Sequence, residues 1–180
     1  MPDDGAPAPE HLAGFVRSLE PVDGALDLGC GDGRLALELR ARALTLADVS
    51  AVALERAARR VPNAAHVELA PDAPLPFADS SFGLVLCAET LEHVRDVQLL
   101  LSEARRVLRP GGVLAVTTPA HGRATALRIA AGGFERAFDP LSPHLRFLTG
   151  RSLGELLDGM GFEVRSLRRR RGTLLATATR

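Results

Sequence analysis

The residues best suited to chemistry fall into two groups. The first lies in "ALDLGCGDGRLALEL", Ala25 to Leu39, where Gly29, Gly31 and Gly33 stand at alternate positions between an apolar run and a helix-like run. Glycine costs backbone entropy in any regular element, so this cluster points to a shape that other residues cannot take. Such a turn lets the main chain approach a ligand closely. A helix opening near Gly33 would add unpaired N–H groups and the positive end of its dipole. Asp48 ends the next apolar run, where a carboxylate can accept hydrogen bonds from ribose hydroxyls. The second group is three histidines, His93, His121 and His144, whose imidazoles can take a proton near neutral pH.

Alternating elements must hold these groups. Leu12, Phe15, Val16 and Leu19 recur at helical spacing and predict a short amphipathic helix. "ALDL" reads as a strand, followed by the glycine turn and a helix from about Arg34 to Arg42. "ALTLAD" is a second strand and "AVALERAARR" a second helix, with Ser50 as its N-cap. "AAHVELA" is a third strand, "PDAPLPFADSS" a loop and "FGLVLC" a fourth strand. "VQLLLSEARRVL" is a helix stopped by "RPGG", and "GVLAVTT" a fifth strand. Continuously apolar strands alternating with helices argue an α/β fold, a parallel sheet covered on both faces. Residues 119–147 carry only a weak helix near "RATALRIAA", and an irregular connection of that length is a functional signal. "SLGELLDGMG" then reads as a helix, and "FEVRSLRRRRGTLLATATR" as two strands meeting near Gly172.

Bulk properties narrow the function classes. The chain has 180 residues, which suits one domain, with a flexible start over residues 1–8. Basic and acidic residues are balanced at 22 each, so no net charge draws the chain to nucleic acid or anionic lipid. No apolar run approaches the ~18 residues of a membrane span, and the first ten residues lack the pattern of a signal peptide. Cys30 and Cys87 read as small buried thiols, which suits a cytoplasmic setting. No metal-ligand spacing stands out, and no metal site is expected.

In a doubly wound sheet the turn after the first strand sits where strand order reverses, and ligands bind there. Gly31-x-Gly33-x-x-Ala36 fits the relaxed dinucleotide fingerprint, and the same geometry serves S-adenosylmethionine (SAM). The turn alone leaves a nicotinamide-dependent oxidoreductase open beside a SAM enzyme.

Four motifs in order break the tie. "LDLGCGDG", "ADVSAVALERAARR", "LPFADSSFGLVLCAETLEHV" and "LSEARRVLRPGGVLAVTTP" closely resemble the ordered motifs of class I SAM-dependent methyltransferases, over roughly Leu26 to Pro119. The resemblance implies a Rossmann-like seven-stranded sheet, mostly parallel, with an antiparallel last strand. It implies that Gly29, Cys30 and Gly31 line the methionine end of SAM and that Asp27 orders the loop near the cofactor's amino group. Asp48 would take the ribose hydroxyls with Val49 beside it, Asp72 and Ala73 would face the adenine, and Cys87 would lie along the cofactor. Gly83 stands where the family usually has Asp, and the segment before "LPF" is one residue short.

By the same resemblance residues 119–147 build the acceptor pocket, which makes His144 the preferred base and His121 the second candidate. His93, in "LEHV", is expected to make a structural hydrogen bond. Phe15, Phe134, Phe138 and Phe147 are expected in the core rather than lining a pocket. The arginine run Arg168–Arg171 reads as a solvated strand edge, and without Trp or Tyr no stacking platform for bases accompanies it. The expectation is methyl transfer to a small molecule, oxygen favoured over nitrogen or carbon, with no nucleic-acid or membrane partner. The alternatives are a SAM-binding module without turnover and the oxidoreductase.

Overall fold

A computed structural model of the chain describes residues 6–133 and 144–180. Seven strands form one sheet in the order β3-β2-β1-β4-β5-β7-β6. The strands are β1 (Val22–Leu28), β2 (Ala41–Asp48), β3 (Ala65–Glu68), β4 (Phe82–Ala88), β5 (Leu108–Pro119), β6 (Glu163–Arg170) and β7 (Thr173–Thr179). The first five pair in parallel, and β7 enters antiparallel between β5 and β6. The expected sheet and its antiparallel last strand are both present. The order reverses between β1 and β4, which puts a crevice beyond their carboxyl ends.

Helices α1 (Glu10–Arg17), α2 (Ala51–Arg60), α3 (Val97–Val107), α4 (Arg123–Gly132) and α5 (Gly150–Gly159) complete the element order. The register sets Ala25 beside Leu44 and Leu84, so alternate residues share a face. On one face α1 packs Leu12, Phe15 and Val16 against Ala25, Leu84 and Leu86. On the other, α3 (Leu101, Ala104) and α5 (Leu153, Leu157) cover Leu26, Leu28, Val85 and Cys87. Three of the helix starts are capped by side chains. Ser50 Oγ accepts from Ala53 N–H, Asp96 Oδ1 from Leu99 N–H, and Thr149 and Ser152 form a reciprocal capping box.

One expected element is absent. The helix read over Arg34 to Arg42 is a single 3₁₀ turn at Ala36–Glu38, and Arg42 already belongs to β2. The reason is chain length. The glycine turn takes residues 29–35 and β2 begins at Ala41, so only residues 36–40 remain between them, too few for an α-helix of more than one turn. With it goes the helix dipole expected at Gly33.

The expected flexible start falls largely on residues 1–5, and the second half of the expected acceptor region on residues 134–143. Both lie outside the described residues, as do Phe134 and Phe138. Phe15 is core, whereas Phe147 is half exposed against His121. Arg168 to Arg171 lie exposed on and just beyond β6, the sheet's edge strand. No helix among the described residues is long and apolar enough to cross a membrane.

Candidate active site

The crevice at the reversal point encloses about 440 Å³, within the size range of small-molecule sites. Leu28, Gly29 and Gly31 supply its wall after β1, Asp48 and Val49 after β2, residues 69–75 after β3, and Glu89, Thr90 and His93 after β4. The loop after β3 is fixed from α3. Buried Glu103 accepts from Leu75 N–H at 2.7 Å, and the Arg106 guanidinium donates to Leu75 O, Phe77 O and Glu103. Two non-glycine residues on the wall, Asp72 (φ 53°) and Glu89 (φ 51°), adopt left-handed backbone. Such strain gathers at functional sites.

The three glycines solve three different packing problems. A Cβ on Gly29 would stand 2.5 Å from Thr90, whose hydroxyl is tied to Leu28 O and Ala88 O. A Cβ on Gly33 would meet Ala57 of α2 and Leu46 at 3.2 Å. Gly31 alone faces open space. Gly29→Ala is therefore expected to cost about 2–3 kcal/mol, combining left-handed strain with overpacking, against about 1–2 for Gly31→Ala from strain alone. Urea denaturation of both variants measures the gap, and equal losses would show that contact with Thr90 does not set the Gly29 requirement.

The turn is no phosphate cradle. Gly29 and Cys30 both donate to Ala47 O, Gly31 donates to Asp48 Oδ2 at 2.8 Å, and Gly33 donates to Cys30 O. Those donors are spent within the protein. Asp32, inside the turn, is held down to about pKa 2, first by its hydrogen bond from Arg34 and then by Arg60. The same features fit SAM, which carries no phosphate. Asp48 uses its oxygens on Gly31 N–H and Ser50 N–H (2.9 Å), and a carboxylate with about four lone-pair sites keeps capacity for ribose hydroxyls. Beneath the turn, Asp27 Oδ2 is buried and has no hydrogen-bond partner among the described residues. Burial first, and then the charge of Asp48, pushes Asp27 up to about pKa 7.

Of the residues expected at the cofactor, Gly29, Gly31, Asp48, Val49, Asp72 and Ala73 all line the cavity. Asp72 also pairs with Arg95, another lining residue. Asp27, Cys30 and Cys87 do not line it. Cys30 packs with Ala36, Leu54 and Ala57 between the turn and α2, and burial pushes its thiol up. Cys87 points to the α3 side of β4, in the core, with its thiol pushed up to about 12 by burial.

The histidines are rearranged relative to expectation. His93, expected to be structural, lines the cavity, and the His144 ring stands edge-on to it with centroids 4.8 Å apart. His121 is set apart from the cavity wall, its ring against Phe147 at 4.9 Å. Beside the pair, buried Glu92 accepts from Thr118 Oγ1 at 3.0 Å, and its Oε1 lies 4.0 Å from His93 Nε2. Burial raises the pKa of Glu89 nearby, and the charge of Glu92 adds to the rise. The clue to His93 was its place just past β4, at the mouth of the crevice.

A seven-stranded sheet with an antiparallel β7, a glycine turn whose glycine N–H groups are bonded within the protein and a carboxylate ending β2 fit the class I SAM-dependent methyltransferases. Residues 26–116 match a family described as a methyltransferase domain, and the chain belongs to that family. Similar proteins include 27-O-demethylrifamycin SV methyltransferase from Amycolatopsis mediterranei, 35% identical over 138 residues, covering 69% of this chain and 50% of that protein. Another is malonyl-[acyl-carrier protein] O-methyltransferase from Enterobacter lignolyticus, 37% identical over 138 residues, covering 75% of this chain and 53% of that protein. The chain thus spans about half the length of these curated relatives. A crystal structure of a SAM-dependent methyltransferase from Aquifex aeolicus superposes with a TM-score of 0.71, covering 94% of this chain and 87% of that one at 18% identity.

Proposed function

We propose that this chain, as a single domain, transfers the methyl group of SAM to a small-molecule acceptor, with oxygen favoured over nitrogen or carbon. The observation that carries the reading is the crevice itself. Its lining brings together Gly31, Asp48 and Val49, Asp72 and Ala73, and His93 backed by His144. Oxygen is favoured because both relatives named above carry it in their names, and because a hydroxyl acceptor gives the imidazole pair a proton to take. A small-molecule acceptor, rather than nucleic acid or lipid, suits an enclosed crevice of this volume. Two free buried thiols suit the reducing cytoplasm.

Bound SAM supplies a methyl group already activated on a sulfonium. The chain's work is then to orient. The glycine turn would pack against the amino-acid end of the cofactor, with Asp27 buried beneath it, while Asp48 would hold the ribose and Asp72 the adenine edge. Acceptor oxygen and methyl carbon must come within about 3–3.5 Å and in line with the sulfur. The proton released by the acceptor passes to the imidazole pair.

Calorimetry with S-adenosylhomocysteine tests the cofactor half of the reading. Asp48→Ala removes a charged acceptor and is expected to weaken binding at least about tenfold, or 1–2 kcal/mol. Unchanged affinity would show that Asp48 does not hold the ribose. S-adenosylhomocysteine at about 100 times its Kd is expected to stabilise the chain by about 2.7 kcal/mol, and NAD to leave it unmoved. Incubation with methyl-labelled SAM and a metabolite extract, read by mass spectrometry, then separates turnover from mere binding.

A further inference from the structure

We infer that Glu92, His93 and His144 form a binding site for a divalent transition-metal ion at the acceptor end of the cavity. Their ligand atoms all lie within 4.8 Å of one another. Around a tetrahedral ion with bonds near 2.0–2.2 Å, ligand atoms stand about 3.3–3.6 Å apart, so closure needs each ligand atom to move by about 0.7–0.9 Å. Side-chain rotation supplies that.

The backbone is already arranged for it. Leu145 N–H donates to Glu92 O at 2.7 Å, and the Arg146 guanidinium donates to Val94 O and Arg95 O. The segment bearing His144 is thereby fastened across the segment bearing the other two ligands. Glu92 commits Oε2 to Thr118, which orients the carboxylate and leaves Oε1 on the side of His93. A ligating carboxylate held by an outer hydrogen bond is the arrangement that metal sites use to fix their ligands. Glu92 is 1% exposed, and a cation there would offset its buried charge.

Two imidazoles and one carboxylate suit zinc, cobalt or ferrous iron better than magnesium or calcium, which prefer oxygen alone. Three protein ligands leave coordination positions open, and His93 directs them toward the cavity it lines. An acceptor oxygen entering as a further ligand would be held in place, and its proton made more acidic, by the ion acting as a Lewis acid. This use deepens the oxygen-acceptor reading and rests on it; the binding of the ion does not.

Chelator-treated full chain titrated with Co²⁺, and followed by visible absorption, tests the site. One saturating equivalent is expected, with Zn²⁺ bleaching the signal by displacement. His93→Ala, His144→Ala and Glu92→Gln are each expected to weaken uptake at least about tenfold. Far-UV circular dichroism monitors folding, and His144→Asn serves should the alanine variant not fold. Absence of saturable uptake, or uptake unchanged in both histidine variants, overturns the proposal. Saturable, histidine-dependent uptake in a chain that transfers no methyl group from SAM would instead overturn the proposed function and leave the metal site standing.

Discussion

His144→Ala is expected to lower turnover at least about a hundredfold while leaving the Kd for S-adenosylhomocysteine within about twofold. The asymmetry follows from position. His144 touches His93, which lines the cavity, whereas the residues proposed to hold ribose and adenine lie on the loops after β2 and β3. A merely structural histidine would weaken cofactor binding and turnover together, because loosening residues 144–147 disturbs the 92–95 segment they are bonded to. The discriminating readout is therefore kcat against Kd. Chelator treatment separates the two ways the pair can act. If removal of metal lowers wild-type turnover as far as His144→Ala does, the histidines act through an ion; if turnover survives chelation, they take the proton themselves. Full activity of His144→Ala on the true acceptor would remove this residue from the mechanism.

Much of this architecture was legible because the signals are local. Alternation of apolar strands with amphipathic helices fixes the parallel sheet, and Ser50 caps α2 as its residue type demands. The segment from Arg34 to Arg42 defeated the same reasoning. "RLALELRAR" has helical composition, but the glycine turn runs to residue 35 and β2 opens at Ala41, so only one 3₁₀ turn fits, and no local preference reports where β2 must begin. The glycine turn was legible as a turn, though not its three separate causes, because Thr90 and Ala57 approach it from remote parts of the chain. Asp48, Val49, Asp72 and Ala73 reach the cavity as expected because strand ends in this topology converge on one edge. Cys87 does not, because strand alternation turns it toward α3. The partnership of His93 with His144 depends on residues 145 and 146 being bonded to residues 92–95, and the sequence carries no local mark of that contact.

Asp27 offers the sharpest test of the buried side of the site. Its carboxyl is enclosed, one oxygen has no partner among the described residues, and its pKa stands at about 7 against an ordinary 3.8. Burial is the larger cause and the charge of Asp48 the smaller. Between pH 4 and 7 the folded chain therefore keeps a proton that the unfolded chain has released. Raising the pH through that window favours the unfolded state, and stability is expected to fall by about 4 kcal/mol before levelling above pH 7. Asp27→Asn cannot ionise, so the difference in unfolding free energy between wild type and variant should shift by that amount, in the variant's favour, as pH rises from 4 to 8. Urea denaturation across this range measures it, and a pH-independent difference would show that Asp27 ionises freely in the folded chain. Ligand binding should work against the trend. A cationic amino group placed beside Asp27 favours the ionised carboxylate, so stabilisation by S-adenosylhomocysteine is expected to grow with pH in wild type more than in Asp27→Asn. The buried charge that weakens the free protein would then be the one that grips the cofactor's amino-acid end.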